Sequence, residues 1–514
     1  MTSHNGLVCF TNCFLPQEDG SLIEKDLWID ERRGAILDAQ RTFFLMKERP
    51  AKIIDLGGNI LSPGLIDIQI NGAYGFDFSV FDGDDDVYKT SLQDVAERIV
   101  ETGVTSFVPT LITQERSLYP KILRLLRPFA TPTSATVLGW HAEGPFIDMA
   151  KRGAHAPSFL VTAPEGIKSF EELYGAENLA DSEDWLMSNG ADNGVRIITA
   201  APEVTGVMST VGELTKRGVV FSIGHSIATS DIATSAVQHG ARLITHLFNA
   251  MPQLHHRDPS IIGLLGASPH LYSPFSPITS KALYSGGPMS PVALTPTRFD
   301  SKTIIKSPVG SEAFDEVETP PQTPMFKALS GKGASLKKTQ SIAGFSLDST
   351  SEFVRPFYEM IVDGIHSHPN SVRLAYSAYP EGCILITDAM KILDPNLRDG
   401  VHEWRDGKRF VKEGDKLYLE GTDTLAGRHV FEPYSTVVMI VVTLDKCVRN
   451  FARFTGCTLA EAIKCATYNP AKCLGIEKKK GTLRPGADAD LVVFDSQGVV
   501  QSTWVKGKQV WSRN

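Results

Sequence analysis

The chain has 514 residues, 42% of them hydrophobic, with 59 acidic against 51 basic side chains and a formal net charge of −8. That length exceeds one ordinary core and suits a large α/β domain with a smaller companion. The acidic balance argues against nucleic acid as the main partner, because phosphate backbones want a basic face, although a local anion site stays possible. The seven cysteines (Cys9, Cys13, Cys383, Cys447, Cys457, Cys465 and Cys473) are odd in number and scattered, with no C-x-x-C. They read as reduced thiols rather than a disulfide frame or a structural zinc site. The start, MTSHNGLVCF, lacks the basic and apolar regions of a signal peptide. The longest apolar run, Val437 to Val442, is far short of the ~20 residues a membrane helix needs. A cytoplasmic protein with no membrane contact is expected.

Residues 1–60 contain short alternating or clustered apolar runs (LVCFTNCFL, LWIDERRGAIL, KIIDLGGNIL) between Gly, Asp and Asn turns, a strand pattern. Residues 481–514 look the same, in GTLRPGADADLVVFD and VVQSTWVKGKQVW. Two strand-rich ends around an α/β middle predict one small β-sandwich domain built from both. The lysine run 478–480 reads as a solvated surface turn.

The middle, 61–269 and 351–480, alternates strands and helices. GLIDIQI, VTSFVPTLI, TVLGWHAEGPF, VRIITAAPE, VVFSIGH, ARLITH, YEMIVDGIH and GCILITDAM are eight apolar runs. Helix-period stretches lie between them, as at 84–102, 115–129 and 206–217. A (β/α)8 TIM-like barrel is the natural closure, with a doubly wound open sheet as the alternative. Residues 270–350 break this rhythm. Seven Ser-Pro or Thr-Pro dipeptides (Ser273, Ser276, Ser290, Thr295, Ser307, Thr319 and Thr323 each precede proline) and no sustained apolar period predict a disordered insert. It could serve a proline-directed kinase, or be a tolerated loop without a role.

Polar residues fall where the strands end, the face on which barrel chemistry sits. Glu143 leaves the third strand, His225 the fifth, His246 the sixth, His366 the seventh and Asp388 the eighth. Either histidine alone could be a satisfied strand-end residue, and Asp388 alone a turn or cap. Together, one carboxylate and two imidazoles make the three protein ligands of a catalytic metal with a position left for water. An aspartate on a nearby strand can then take a proton from that water.

On these motifs, with PGLIDIQING, HAEGPF followed by KRGAH, IGHS, THLFNAMP, DGIHSHP, TDAM, ATYNPAKCLG and GADADLVVF, the chain resembles the amidohydrolase superfamily over most of its length outside 270–350. Within it, HAEGPF with THLFNAMP and DGIH resembles the branch that removes an acetyl group from a phosphorylated amino sugar. The resemblance implies that Glu143, His225 and His246 bind the metal and that Asp388 is the general acid–base. It implies sugar contact by His155, substrate contact by Asn249 and Ala250, and phosphate binding by Arg257, whose fork suits that anion. His366 would contact the sugar phosphate and the reacting amide region. His255 and His256 are further candidates for the anion site, or plain surface residues. One divalent metal ion is implied, zinc foremost, with iron, cobalt or manganese admitted by the same ligands. A homodimer is also implied.

Many members of the superfamily carry His-x-His on the first strand for a second metal. Here the corresponding place reads as Asp67-Ile68-Gln69, and glutamine is a poor ligand for a transition metal. The rivals are a cyclic amidase or a purine deaminase of the same superfamily, and an inactive scaffold acting through the insert. The first pair want His-x-His, and the amidase a lysine on strand four, which VRIITAAPE lacks.

Overall fold

A computed structural model describes residues 4–179, 194–268, 353–403, 409–413, 416–419 and 441–513. The expected insert, with its Ser-Pro and Thr-Pro dipeptides, lies outside the described residues.

All eight expected strands form. In chain order they are β1 (Leu65–Ile70), β2 (Val104–Ile112), β3 (Trp140–Glu143), β4 (Val195–Ala200), β5 (Val220–Ile223), β6 (Leu243–Ile244), β7 (Phe357–Ile361) and β8 (Cys383–Ile386). Each pairs in parallel with the next, and a short strand, Thr136–Val137, pairs with β2 as well. Backbone bonds close the ring just beyond β8 and β1: Asp388 N–H donates to the Gln69 carbonyl (2.8 Å) and Asn71 N–H to that of Ala389 (2.7 Å). This is a (β/α)8 barrel rather than an open sheet. Every residue of β1 and β4 is buried, because one face fills the barrel and the other meets helices. Such strands read in the sequence as continuous apolar runs.

The connecting helices follow local chemistry. In α1 (Asp85–Arg98), the Asp84 side chain accepts the Asp86 and Val87 N–H groups, and Asp85 and Asp86 sit at the positive end of the helix. Tyr88, Leu92, Val95 and Ala96 form its buried stripe. A 3-10 turn (Ile99–Thr102) ends in Gly103, whose φ of +82° provides the left-handed stop that delivers the chain into β2. Between β5 and β6, α2 (Ser230–Gln238) is capped by the Thr229 side chain.

The two strand-rich ends meet in one mixed sheet of eight strands. Strand Leu491–Phe494 runs antiparallel to Ile60–Pro63, and Lys52–Pro63 pairs in parallel with Leu7–Pro16. Val8, Phe10, Ile29, Leu61, Leu491 and Trp504 share its core, with the Phe10 and Trp504 rings edge-to-face at 5.0 Å. After β8 the chain also makes a three-stranded antiparallel sheet (Gly400–Glu403, Arg409–Glu413, Lys416–Leu419) that the sequence reading did not anticipate. No helix among the described residues is long and apolar enough to cross a membrane.

One expectation is corrected here. The lysine run is not wholly solvated: Lys480 is 4% exposed, with its Nζ 2.5 Å from Asp490 and 2.9 Å from Asp488. Three consecutive lysines hid which one turns inward. Replacing one member of a buried pair strands the other charge, so Lys480→Ala should cost about 3–5 kcal/mol in urea unfolding. Lys478→Ala, on the exposed neighbour, should cost less than roughly 0.5 kcal/mol. Equal small losses would refute the buried pair.

Candidate metal centre

Three ligand atoms converge at the C-terminal mouth of the barrel. Glu143 Oε1 lies 2.9 Å from His225 Nε2 and 3.0 Å from His246 Nε2, and the two nitrogens are 3.1 Å apart. All three residues are buried. Tetrahedral ligands about 2.0–2.1 Å from a zinc ion would stand roughly 3.3 Å apart, so the donor set fits one divalent cation.

The chemistry of the donors agrees. His225 Nδ1 faces the Lys151 carbonyl oxygen at 2.7 Å. A carbonyl only accepts, so the proton sits on Nδ1 and the Nε2 lone pair points at the cluster, the tautomer a metal requires. Burial alone would raise the Glu143 carboxyl, but the two imidazoles hold it well below the usual carboxylate range. Burial disfavours charge on His246, yet Glu143 and other carboxylates raise it to about 9. The site thus draws positive charge to this point.

The backbone is bent to bring these groups inward. His225, His246 and Asp388 follow their strands in left-handed conformations, with φ of +48°, +29° and +50°. Such geometry in non-glycine residues costs about 1–3 kcal/mol each and persists only where the surroundings impose it. Gly224 allows the first bend: a Cβ there would lie 2.7 Å from the side chains of both Thr199 and Thr245.

Asp388 is joined to the ligand set through Gln69, whose Nε2 donates to Glu143 Oε1 and to Asp388 Oδ1, both at 3.3 Å. Asn71 Nδ2 donates to the same Asp388 oxygen at 2.7 Å. Burial and the nearby Glu143 push the Asp388 carboxyl up to about 7. The sequence reading set Asp67 and Gln69 as the first-strand pair, and this is corrected. Asp67 lies off the ligand set, fully buried and accepting the Thr387 hydroxyl at 2.6 Å. The pair that reaches the ligand and Asp388 is Gln69 and Asn71. Both spacings put alternate residues on one face, and only the end of β1 decides which pair reaches the mouth.

The remaining candidates divide. His155 is buried with its ring edge-to-face on His225, centroids 4.6 Å apart. Its Nδ1 takes the Thr113 backbone N–H (3.3 Å) and lies 2.6 Å from the Thr113 hydroxyl, and burial lowers its pKa to about 3. The His366 side chain is buried and its Nδ1 is paired with Asp363 Oδ2, while its Nε2 has no partner. Asn249 and Ala250 are half-buried beyond β6: Asn249 N–H donates to the His246 carbonyl (2.9 Å), and the Ala250 carbonyl accepts from Ser226 (3.2 Å). Arg257 is exposed, as are His255 and His256, and no described contact joins them to the cluster. Asn71, Thr113 and Asp363 escaped the sequence reading. Each acts by touching another functional residue, and nothing in local spacing reports such a contact.

A parallel barrel with one glutamate and two histidines at its strand ends is the arrangement of a metal-dependent amide hydrolase, and residues 329–510 match the amidohydrolase family. The chain is 36% identical to the N-acetylglucosamine-6-phosphate deacetylase of Bos taurus, across 98% of this chain and 96% of that protein. It is equally identical to the Homo sapiens enzyme of that name, across 98% and 95%. A solved structure of a Mycobacterium smegmatis N-acetyl-D-glucosamine-6-phosphate deacetylase mutant, in complex with N-acetyl-D-glucosamine-6-phosphate, shares the fold. Its TM-score is 0.62 at 22% identity, covering 98% of this chain and 99% of that one. The chain belongs to the N-acetylglucosamine-6-phosphate deacetylase family of amidohydrolases.

Calorimetric titration of metal-free protein with zinc should give one equivalent, and Glu143→Ala should weaken that binding by more than roughly 100-fold, beyond what loss of a supporting residue costs. Unchanged affinity in the variant, or two equivalents in the parent, would overturn the three-ligand centre.

Proposed function

We propose that this protein hydrolyses the acetamide of N-acetylglucosamine 6-phosphate to glucosamine 6-phosphate and acetate, with a single divalent cation, zinc foremost, held by Glu143, His225 and His246. The observation that carries this reading is the juxtaposition of that triad with Asp388, bridged by Gln69, in a chain related to the deacetylases along almost its whole length.

When bound, the cation supplies polarisation of the acetyl carbonyl and acidification of water. The protein's own groups do the rest. Asp388 takes a proton from the attacking water as its oxygen bonds to the carbonyl carbon. The same carboxyl then delivers that proton to the sugar nitrogen as the C–N bond breaks. Burial, which disfavours its charged form, suits it to hold the proton between the two steps. His366, held through Nδ1 by Asp363, turns Nε2 toward the amide region. His155 has its Nδ1 occupied by the Thr113 N–H, so its proton rests on Nε2 and is offered to a sugar oxygen. Asn249 and Ala250 line the substrate. Arg257, exposed beyond β6, meets the phosphate as it arrives from solvent. We place the enzyme in the cytoplasm as a homodimer, with the Ser/Thr-Pro dipeptides of 270–350 as targets of a proline-directed kinase.

Acetate release should strongly favour N-acetylglucosamine 6-phosphate over the unphosphorylated sugar. Arg257→Ala should raise KM for the former by about 10- to 100-fold and leave the latter unchanged, as loss of a charge-assisted contact requires. No preference for the phosphorylated sugar would sink the substrate assignment. Asp388→Asn should keep metal and fold and lose roughly 10²- to 10⁴-fold in kcat. The base works as the carboxylate, so kcat/KM falls as pH drops through its pKa. A cation beside Glu143 pulls that pKa below the value of about 7 that holds without one. The acidic limb should therefore lie below pH ~7 and vanish in Asp388→Asn.

A further inference from the structure

Two amide side chains converge on one oxygen of Asp388. Asn71 Nδ2 is 2.7 Å and Gln69 Nε2 3.3 Å from Oδ1, while among the described residues no hydrogen bond reaches Oδ2. The amide orientations are dictated by their neighbours. Turning either by half a turn would set an amide oxygen against a carboxylate oxygen. The backbone reinforces the arrangement: Asp388 N–H donates to the Gln69 carbonyl at 2.8 Å, and Asn71 N–H to that of Ala389 at 2.7 Å. The base is thus bracketed by the end of β1, side chain and main chain alike, in a left-handed conformation that needs support.

We propose that Asn71 is a positioning residue for the reaction: with Gln69 it engages Asp388 Oδ1, so that Oδ2 alone takes the proton from water and returns it to the departing amine nitrogen. This rests on the reading of Asp388 as the base. A carboxylate free to rotate would offer either oxygen, and only one orientation puts a lone pair in line with the water proton. Asn71 restricts Asp388 to that orientation and meets none of the three metal ligands in any described bond. Gln69 differs, because its amide also holds Glu143 and so spaces the ligand from the base.

Asn71→Leu removes the donor at similar volume, and Asn71→Ser, too short to bridge 2.7 Å, is the second variant should the first not fold. In either, zinc affinity by calorimetry should stay within about threefold of the parent, kcat should fall roughly 10- to 100-fold, and KM should change little. Loss of a donor to the charged form makes the carboxyl more basic, so the acidic limb of kcat/KM should move up by about one pH unit. The other titratable groups facing Asp388 (Glu143 on β3, His246 after β6, His366 after β7, Asp67 on β1 and Glu359 on β7) are untouched by these changes. The same displacement should appear in a carbon-13 NMR titration of aspartate carboxyls in zinc-loaded protein without substrate. An unchanged kcat and limb would overturn the proposal, as would a loss of activity that merely tracks loss of zinc or of thermal stability. If the parent released no acetate at all, the functional reading would fail, while the NMR titration would still test the link between Asn71 and Asp388.

Discussion

A carboxylate oxygen held about 3 Å from two imidazole nitrogens, in a buried pocket, is a concentration of lone pairs that only positive charge makes favourable. Much of the barrel mouth answers to that demand. The Lys151 carbonyl holds a proton on His225 Nδ1, which leaves Nε2 as the nitrogen turned to Glu143. Gln69 gives its amide hydrogens to Glu143 and Asp388, easing the repulsion between two neighbouring carboxylates. The upward pull on His246 has the same origin: three acidic side chains, Glu143, Asp388 and Glu359, bias it toward charge.

Holding such a cluster requires a frame that does not relax. Three of its residues sit in left-handed conformations, and the free energy stored there is offset by the closed parallel sheet beneath and the core around it. Closure matters most between β8 and β1, because Asp388 lies beyond the last strand and its partners Gln69 and Asn71 lie at the end of the first. The small mixed sheet contributes to the same seam. Its strand Lys52–Pro63 ends one residue before β1 begins and is gripped by Leu491–Phe494 from the other end of the chain. The termini therefore help to hold the strand that carries the residues bracketing Asp388.

The barrel was legible because both faces of its strands are buried. Mostly apolar runs such as LIDIQI and VRIITA leave few alternatives once helix-period segments separate them. The candidate metal ligands were legible for a different reason: each is a polar residue where an apolar run stops, and parallel topology forces all such ends to one face. Asn71, Thr113 and Asp363 were not legible, since a residue that orients another is defined by a contact across the fold. The misreading of Asp67 and Gln69 has the same root. An i, i+2 pair shares a face, but alternation does not say at which level of the barrel that face opens on the mouth. Lys480 was lost to its neighbours, because three adjacent lysines look equally solvated until a turn directs one of them to Asp488 and Asp490.

The amino-acid order by itself determined the barrel class and the pairing of the two strand-rich ends, and it singled out Glu143, His225, His246 and Asp388 as candidates. These depend on hydrophobic period and on side-chain chemistry, both local properties. Tertiary structure alone decided which oxygen of Asp388 is engaged, which nitrogen of His225 faces Glu143 and which residues at the end of β1 reach the mouth. Those outcomes depend on distances of about 3 Å between segments that the chain separates by as many as 319 residues.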